Sequence, residues 1–299
     1  MNQLKSYLYT SRLRTLPLSI SCVINAGAIA FYLDAFSFSI VLFSLLTILL
    51  LQVISNFSND IGDFEHGTDD ETRIGPKRAI QSGMLSPSNI KLAIKILISA
   101  CIISGIVLLT ISHIFIWQKI LFFSLGLISI WAANNYTRGN ISYGYKMLGD
   151  LAVFIFFGIL GVTGCLFLFI HTINNASFFV AIGLGLLTVA VLHLNNLRDL
   201  YADKEHNKIT LAVKLGHENS KIYFLLLVLF GIIFWGSYVF TQNLTNLFSY
   251  LYYLGFLPML FILITFFKVK KNEDYDKLLK PLAISIFVTS VLFFLSQIF

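Results

Sequence analysis

Residues 38–63 read FSIVLFSLLTILLLQVISNFSNDIGD, an apolar run that ends in a cluster of polar side chains. The apolar part has roughly the length of about 20 residues that a helix needs to cross a bilayer. If the helix continues for two more turns, Asn56, Asp60 and Asp63 share one face, because residues three and four apart are neighbours on a helix surface. Asn59 lies beside them. The stretch therefore predicts a membrane helix with a stripe of carboxylates at one end.

A second copy of this pattern ends another apolar run, in the sequence NNLRDLYAD at residues 195–203. Asn195, Asp199 and Asp203 again have helical spacing, and a basic loop follows each copy. Asn and Asp at a helix end are also ordinary caps and loop starters, but two copies at matching places favour a shared role. We interpret them as a weak internal repeat, with motifs at 56–63 and 195–203, inside a single domain that spans residues 1–299.

The composition is that of an integral membrane protein. The chain has 299 residues, of which 57% are hydrophobic and 12% are charged, whereas soluble domains carry about 25% charged residues. We expect an all-α fold, a lipid bilayer around it and no nucleic-acid partner; the sequence does not predict the oligomeric state. Apolar runs of spanning length predict a bundle of nine transmembrane helices, at roughly 16–33, 38–58, 89–112, 117–136, 150–171, 176–196, 219–241, 247–267 and 279–298.

The basic residues predict how this bundle lies in the membrane. With these nine spans, every Lys and Arg except Lys119 falls on one side, and basic loops face the cytoplasm. We therefore expect a multi-pass protein of the plasma membrane with a cytoplasmic N-terminus. Among the acidic residues only Asp34 falls outside, so the site would face the cytoplasm.

Two carboxylate stripes brought face to face would bind one or two Mg²⁺ ions, which take few protein carboxylates and complete their shell with phosphate oxygens and water. The candidate metal ligands are Asn56, Asp60, Asp63, Asp199 and Asp203. Nearby basic and amide side chains would neutralise a diphosphate. The candidate diphosphate-binding residues are Arg12, Arg14, Asn59, Lys77, Arg78, Arg138, Lys146, Asn195, Arg198 and Lys208.

A diphosphate at a membrane surface, beside helices rich in aromatic residues, suggests a polyprenyl diphosphate whose tail lies in lipid. Metal and basic groups would stabilise the departing diphosphate, and aromatic faces would flank an allylic cation. The chain has no P-loop, HExxH or GxSxG pattern. Asp69 and Asp70, in the loop after the first motif, would have at most an auxiliary role.

These motifs resemble the UbiA superfamily of intramembrane aromatic prenyltransferases, and most of all its 1,4-dihydroxy-2-naphthoate polyprenyltransferase branch. The resemblance covers nearly the whole chain. It is carried by SRLRTLP, NFSNDIGDFEHGTDDETRIGPKRAIQSG, YGYKMLGDLAVFIFFG and NNLRDLYADKEHNKITLAVKLG. It implies a nine-helix bundle with a cytoplasm-facing cavity that opens sideways to lipid. The implied reaction replaces the carboxylate of 1,4-dihydroxy-2-naphthoate by the prenyl chain, with loss of CO₂ and diphosphate.

The same resemblance implies roles for individual residues. Tyr136 matches a position near the reacting carbon, and Asp60 or Asp203 would be the general base. Two departures from the family pattern occur: Gly67 stands where many members carry an acid, as in the naphthoate branch, and Leu13 follows Arg12 where Pro is usual. The predicted metal ligands match the family's metal-diphosphate residues, and its phosphate clamps are matched by Lys77, Arg78, Arg138, Lys208 and Arg12 or Arg14.

Two other functions are compatible with part of the pattern. The nearest is a prenyltransferase of the same family that acts on 4-hydroxybenzoate or homogentisate. The other is a cation-coupled transporter, since acids in membrane helices often mark ion paths. In transporters such acids usually lie at mid-bilayer on interrupted helices, whereas here they lie at helix ends among basic residues.

Overall fold

The computed structural model describes residues 3–68, 75–139, 141–242 and 246–298. These ranges contain nine helices that are long and apolar enough to cross a membrane, which confirms the predicted fold class. Asp69, Asp70 and Arg73 lie outside the described residues.

The helices follow one another along the chain with short connections. They are α1 (Gln3–Thr10), α2 (Leu16–Tyr32), α3 (Phe38–Glu65), α4 (Pro87–Ile111), α5 (Ile116–Asn135), α6 (Gly149–Ile170), α7 (Ser177–Arg198), α8 (Leu200–Glu205), α9 (Leu211–Ser237), α10 (Leu247–Phe266) and α11 (Asp276–Ser296).

The two motifs lie on helix ends, but in different ways. Helix α3 continues to Glu65, so the first motif is wholly helical. The second motif crosses a break at Asp199, between α7 and α8, although the Asp203 N–H still donates to the Asp199 carbonyl at 2.8 Å. Helix α9 starts at Leu211, earlier than predicted, because the Thr210 side chain caps its N-terminus. The helix is interrupted at Gly216, whose φ of 75° is an angle that glycine adopts more readily than other residues.

Burial distinguishes the inner helices from those that face lipid. In α7, 72% of the most apolar window is buried inside the protein, against 11% in α5, so α7 is central and α5 is peripheral. Helix α6 contains a wide π-helical segment, Phe154–Gly164. Within it Gly158 lies so close to α7 that a Cβ would meet the Ala181 carbonyl oxygen at 2.6 Å. Helices α6 and α7 therefore pack directly against each other at this point.

A small separate apolar cluster fixes the loop after α3. Phe57 and Ile61, on the face of α3 next to the carboxylates, pack with Ala79, Ile80 and Ile90. These contacts pin the chain next to Arg78 and so bring that residue back over the first motif.

Candidate active site

A cavity of about 400 Å³ lies between α2, α3, α5, α6, α7 and α11. Its charged end is lined by residues of both motif regions, including Asp63 and Asn195. Away from that end the lining is mostly apolar, with a few hydroxyl side chains such as Ser44, Thr47 and Thr188. Tyr136 and Phe122 both line it, and fourteen residues of helix α5 separate them, which corresponds to about 21 Å at 1.5 Å per residue. The cavity is therefore a long apolar channel that ends among charges.

Asp60 and Asp63 of the first motif are held by two arginines. Asp60 is 1% exposed and accepts from Arg12 at 2.5 Å, from Arg78 at 3.3 Å and from the Ala79 N–H at 3.4 Å. The second nitrogen of the Arg78 fork lies 3.4 Å from Asp63. Arg78 therefore bridges both carboxylates from a loop. The planar guanidinium fixes the direction of these charge-assisted hydrogen bonds.

The turn before α2 aims Arg12 at Asp60. Arg12 has φ of 49°, a left-handed conformation that costs about 1–3 kcal/mol for a non-glycine residue. The Asn56 amide donates to the Ser11 carbonyl at 2.9 Å and so ties this turn to α3. Asn59 accepts from the Thr137 hydroxyl at 3.2 Å and ties α3 to the end of α5. The asparagines of the motif therefore position the elements that carry the charges.

The second motif has a different electrostatic arrangement. Asp203 is buried, and its Oδ1 lies 3.2 Å from Lys208 Nζ. Its Oδ2 is also buried and accepts no hydrogen bond from any residue in the described ranges. The turn after α8 sets this geometry, since Asn207 has φ of 56° and the Lys208 N–H donates to the Asp203 carbonyl at 2.8 Å.

Tyr145 and Lys208 join the two motifs. The Tyr145 hydroxyl lies 3.0 Å from Asp63 Oδ1, and Lys208 Nζ, the partner of Asp203, lies 5.4 Å from the centre of the Tyr145 ring. The Met147 N–H donates to the Ile209 carbonyl at 3.0 Å, so the two loops that carry Tyr145 and Lys208 are directly paired. Tyr145 is not among the site residues predicted from the sequence, because a loop tyrosine has no spacing pattern that would reveal it.

The carboxylates and lysine perturb one another. Burial raises the pKa of Asp203 to about 6, and Lys208 opposes that shift. Burial alone would lower the pKa of Lys208, but Asp203, Asp63 and Asp199 raise it. Burial and the nearby Asp150 raise the pKa of Tyr136 well above its usual value, so its phenol stays protonated near neutral pH. Tyr136 is thus a hydrogen-bond donor and an aromatic face, and not a base.

The residues present fit a magnesium ion. Over the described ranges, no three His, Cys, Asp or Glu side chains form a compact cage. Mg²⁺ does not require one, because it is usually held by one or two carboxylates together with substrate phosphates and water. The buried Asp203 Oδ2, which has no hydrogen-bond donor among the described residues, is the oxygen that a cation would satisfy.

The predicted diphosphate-binding residues fall into two groups. Arg138 bonds the Asn134 side chain at 3.3 Å, Lys146 is exposed, and neither lines the cavity. Lys77 is exposed and lines an adjoining surface cavity. The predicted residues that do line the main cavity are Arg12, Arg14, Asn59, Arg78, Asn195 and Lys208.

Arg198 does not reach the cavity. It is fully buried, and its guanidinium makes a bidentate pair with Asp199 at 2.6 and 2.8 Å. The remaining donors go to Asn195 at 3.0 Å and to Asp276 at the start of α11. Its bonds therefore hold Asp199 and join α7 to α11.

We expect Arg198→Met to act on stability. Removing one partner of a buried ion pair costs about 3–5 kcal/mol, because the other charge stays buried without compensation. The thermal midpoint in detergent should fall, while the folded fraction should lose less affinity for prenyl diphosphate than Arg78→Gln does, because Arg198 acts only through Asp199. Arg138→Met serves as the control and should leave the midpoint unchanged. A normal midpoint combined with weakened diphosphate binding would restore Arg198 as a phosphate contact.

Tyr136, which the resemblance places near the reacting carbon, lines the cavity in a cradle of two glycines. A Cβ at Gly149 would lie 2.6 Å from the Tyr136 hydroxyl oxygen, and one at Gly144 would lie 3.0 Å from its ring. The absence of side chains at these two positions lets the ring stand at the charged end of the channel.

The fold and the cavity together define a multi-pass membrane protein in which a largely apolar cavity ends among acidic and basic side chains. The chain belongs to the UbiA prenyltransferase family, whose sequence model matches residues 20–293. Membership of this enzyme family favours a transferase over the transporter considered from the sequence.

Several curated relatives cover most of this chain. The 1,4-dihydroxy-2-naphthoate octaprenyltransferase of Haemophilus influenzae is 40% identical over 228 residues, which are 76% of this chain and 74% of the relative. The enzyme of the same name from Escherichia coli is 39% identical over 75% of this chain and 72% of its own length.

A solved structure supports the fold. The structure of a UbiA homolog from Archaeoglobus fulgidus bound to DMAPP and Mg²⁺ covers 96% of this chain and 97% of its own chain, with a TM-score of 0.65 and 15% identity. At that identity the likeness concerns the fold alone.

Proposed function

We propose that this protein transfers a polyprenyl chain from polyprenyl diphosphate to 1,4-dihydroxy-2-naphthoate, with release of CO₂ and diphosphate. The proposal rests on the cavity, whose lining extends from Phe122, about 21 Å along α5 from Tyr136, to Asp63, Arg78 and Lys208. This shape suits a substrate with a long apolar tail and a strongly anionic head. The identity of the aromatic acceptor in this proposal is taken from the names of the relatives.

The charged end would hold the diphosphate between the two motifs. Arg12, Arg78 and Lys208 would contact its oxygens, each positioned by a carboxylate that fixes the side chain in advance. Such preorganised charges stabilise a leaving group without reorganising at the moment of reaction. The residues that would hold Mg²⁺ are Asn56, Asp60, Asp63, Asp199 and Asp203. Bound there, the ion would neutralise the charge that develops on the departing diphosphate.

Chemistry at the acceptor needs no protein nucleophile. The ring carbon that bears the carboxylate forms a bond to C1 of the prenyl chain, and the bond from C1 to the diphosphate oxygen breaks with its electron pair on oxygen. The adjacent hydroxyl loses its proton, which gives a ketone with the carboxylate beta to it. That carboxylate leaves as CO₂, and the ring oxygen regains a proton. The protonated phenol of Tyr136 would stand beside the electron-poor allylic carbon.

Two predicted residues compete for the proton-accepting role. The oxygens of Asp60 are already taken by Arg12, Arg78 and a backbone N–H, which leaves this carboxylate poorly placed to accept a proton. Asp203 keeps an oxygen without a hydrogen bond in the described ranges, and this favours it over Asp60 as the acceptor, provided that the oxygen is not bound to the cation, because a metal-bound carboxylate is a poor base.

The distribution of basic residues supports a cytoplasmic N-terminus, and thus a site that opens to the cytoplasm of a plasma-membrane protein. The two motifs end α3 and α7, which supports the interpretation of one domain with a weak internal repeat.

The test is an acceptor comparison with the purified protein. Each of 1,4-dihydroxy-2-naphthoate, 4-hydroxybenzoate and homogentisate is incubated with a long prenyl diphosphate and Mg²⁺, and prenylated product and CO₂ from labelled carboxylate are measured. We expect prenylated naphthoquinol and stoichiometric CO₂ from the naphthoate. Turnover of another acceptor in its place would keep the prenyltransferase and reassign its substrate.

A further inference from the structure

Among the residues that the structure describes, one cation that lines the cavity is not paired with any carboxylate. Of the five basic side chains that line the cavity in the described part of the chain, four lie within 4.0 Å of an Asp oxygen. Lys280 is the fifth, and it has no ion pair or hydrogen bond to any described residue. The lining bases are Arg12, Arg14, Arg78, Lys208 and Lys280.

Lys280 lies near the start of the spanning stretch Asn272–Ser296, one helical turn beyond Asp276, and its neighbours Leu279 and Ala283 also line the cavity. A lysine near the end of a spanning segment keeps its ammonium at the membrane surface, which here is the end of the bundle where Asp276 contacts Arg14 and Arg198. The Lys280 side chain is exposed, so a molecule that enters the cavity can reach it and supply a partner.

We infer that Lys280 binds the carboxylate of the aromatic acceptor, an inference that rests on the proposed function. The diphosphate and the acceptor are both anionic, so their binding in one cavity requires separate positive groups. Arg12, Arg78 and Lys208 are already oriented by the aspartates of the two motifs, and Arg14 lies 3.8 Å from Asp276. Lys280 lies on α11, which belongs to neither motif and packs against α2 and α7. It is the group that can take the second anion without competing for the first.

An ammonium at this place also suits the loss of CO₂. In 1,4-dihydroxy-2-naphthoate the carboxylate and the 1-oxygen are on adjacent ring carbons, so an ammonium that binds the carboxylate lies close to the 1-oxygen. When the carbon–carbon bond breaks, CO₂ leaves neutral and the electron pair passes into the ring, so the negative charge moves to the neighbouring oxygen, which then regains the proton that the 1-hydroxyl released. Until that proton returns, the charge stays beside Lys280. The lysine thus orients the acceptor without having to release a charged product.

The test compares Lys280→Gln and Lys280→Arg with Lys277→Gln. Lys277 lies on the same helix, is exposed and pairs with Asp274, so it is a matched control outside the cavity. Three quantities are measured for each variant: the Michaelis constant for the naphthoate acceptor, the Kd for prenyl diphosphate, and the Kd for the carboxylate-free diol, 1,4-dihydroxynaphthalene. Thermal midpoints verify that the variants fold.

We expect Lys280→Gln to raise the Michaelis constant for the naphthoate about 10- to 100-fold, the effect of losing one hydrogen bond to a charged group. The Kd for prenyl diphosphate and for the carboxylate-free diol should not change, and Lys280→Arg should recover part of the loss. An unchanged Michaelis constant, or a weakened Kd for prenyl diphosphate or the diol, would overturn the inference. Wild-type protein that turns over a different acceptor would instead overturn the proposed function on which the inference rests.

Discussion

Asp203→Asn is expected to lower kcat about 100- to 1,000-fold, the loss typical for removal of one group that stabilises transition-state charge. The substitution keeps the size of the side chain but removes its charge. It therefore removes the buried oxygen that has no hydrogen-bond donor in the described ranges and leaves Lys208 without its carboxylate partner. The Mg²⁺ concentration required for half-maximal activity should rise as well, because one predicted ligand is weaker.

The control for this variant lies two residues away. Glu205 is exposed on the same short helix α8 and lines neither cavity, so Glu205→Gln should leave kcat and the Mg²⁺ requirement unchanged. Normal turnover by Asp203→Asn, with prenyl diphosphate still bound, would remove Asp203 from both the metal site and the proton-accepting role.

Arg78→Gln is expected to weaken prenyl diphosphate binding about 100-fold, since the two arms of the guanidinium can each make charge-assisted hydrogen bonds. Arg78 bridges Asp60 and Asp63 and lines the cavity, whereas Arg138 bonds Asn134 and does not line it. The two arginines are equivalent candidates in the sequence, so the geometry predicts a clear ranking between them. The measurement is the Kd for prenyl diphosphate in the presence of Mg²⁺.

Arg138→Gln is the matched control, with the same chemical change in a loop at the same end of the bundle. It should keep the wild-type Kd. Equal losses in the two variants would mean that the cavity lining does not identify the diphosphate contacts. Arg78→Lys should retain part of the affinity, because a single ammonium keeps the charge but cannot bridge both carboxylates.

Much of the architecture follows from patterns that are local in the chain. The nine spanning helices are encoded by runs of apolar residues, and apolarity predicts their boundaries within a few residues, apart from the end of α3, which continues to Glu65, and the start of α9. Helix α9 begins with a polar stretch that includes KLGHENS, which apolarity alone cannot detect; its start is fixed instead by the Thr210 cap. The carboxylate stripes are predictable because helical spacing determines which side chains share a face.

Contacts between distant loops are not predictable in this way. Arg78 and Arg138 are both loop arginines after a membrane helix, and only the packing of Ala79 and Ile80 on α3 brings Arg78 over the carboxylates. Arg198 has the sequence context of a phosphate contact, yet it is turned inward to Asp199 and Asp276. The positions of these side chains depend on how helices far apart in the sequence pack against each other. They cannot be predicted from the spacing of residues within one helix.

Tyr145 and Lys280 illustrate the same limit for residues that no sequence pattern singles out. Tyr145 becomes part of the site only because its loop pairs with the loop of Ile209. Lys280 is one of several lysines around the start of α11, and only the cavity distinguishes it from Lys277. Both residues become candidates for a functional role only through the way in which elements far apart in the sequence pack together.

In the proposed mechanism the two motifs jointly hold a Mg²⁺–diphosphate complex. This can be tested by the binding of a prenyl diphosphate to the detergent-purified protein, measured by calorimetry with Mg²⁺ and again with EDTA, in wild type, Asp63→Asn and Asp203→Asn. We expect tight binding in wild type that EDTA abolishes, and a large loss of affinity in each variant. Binding that persists in EDTA, or that survives the loss of either aspartate unchanged, would contradict this mechanism.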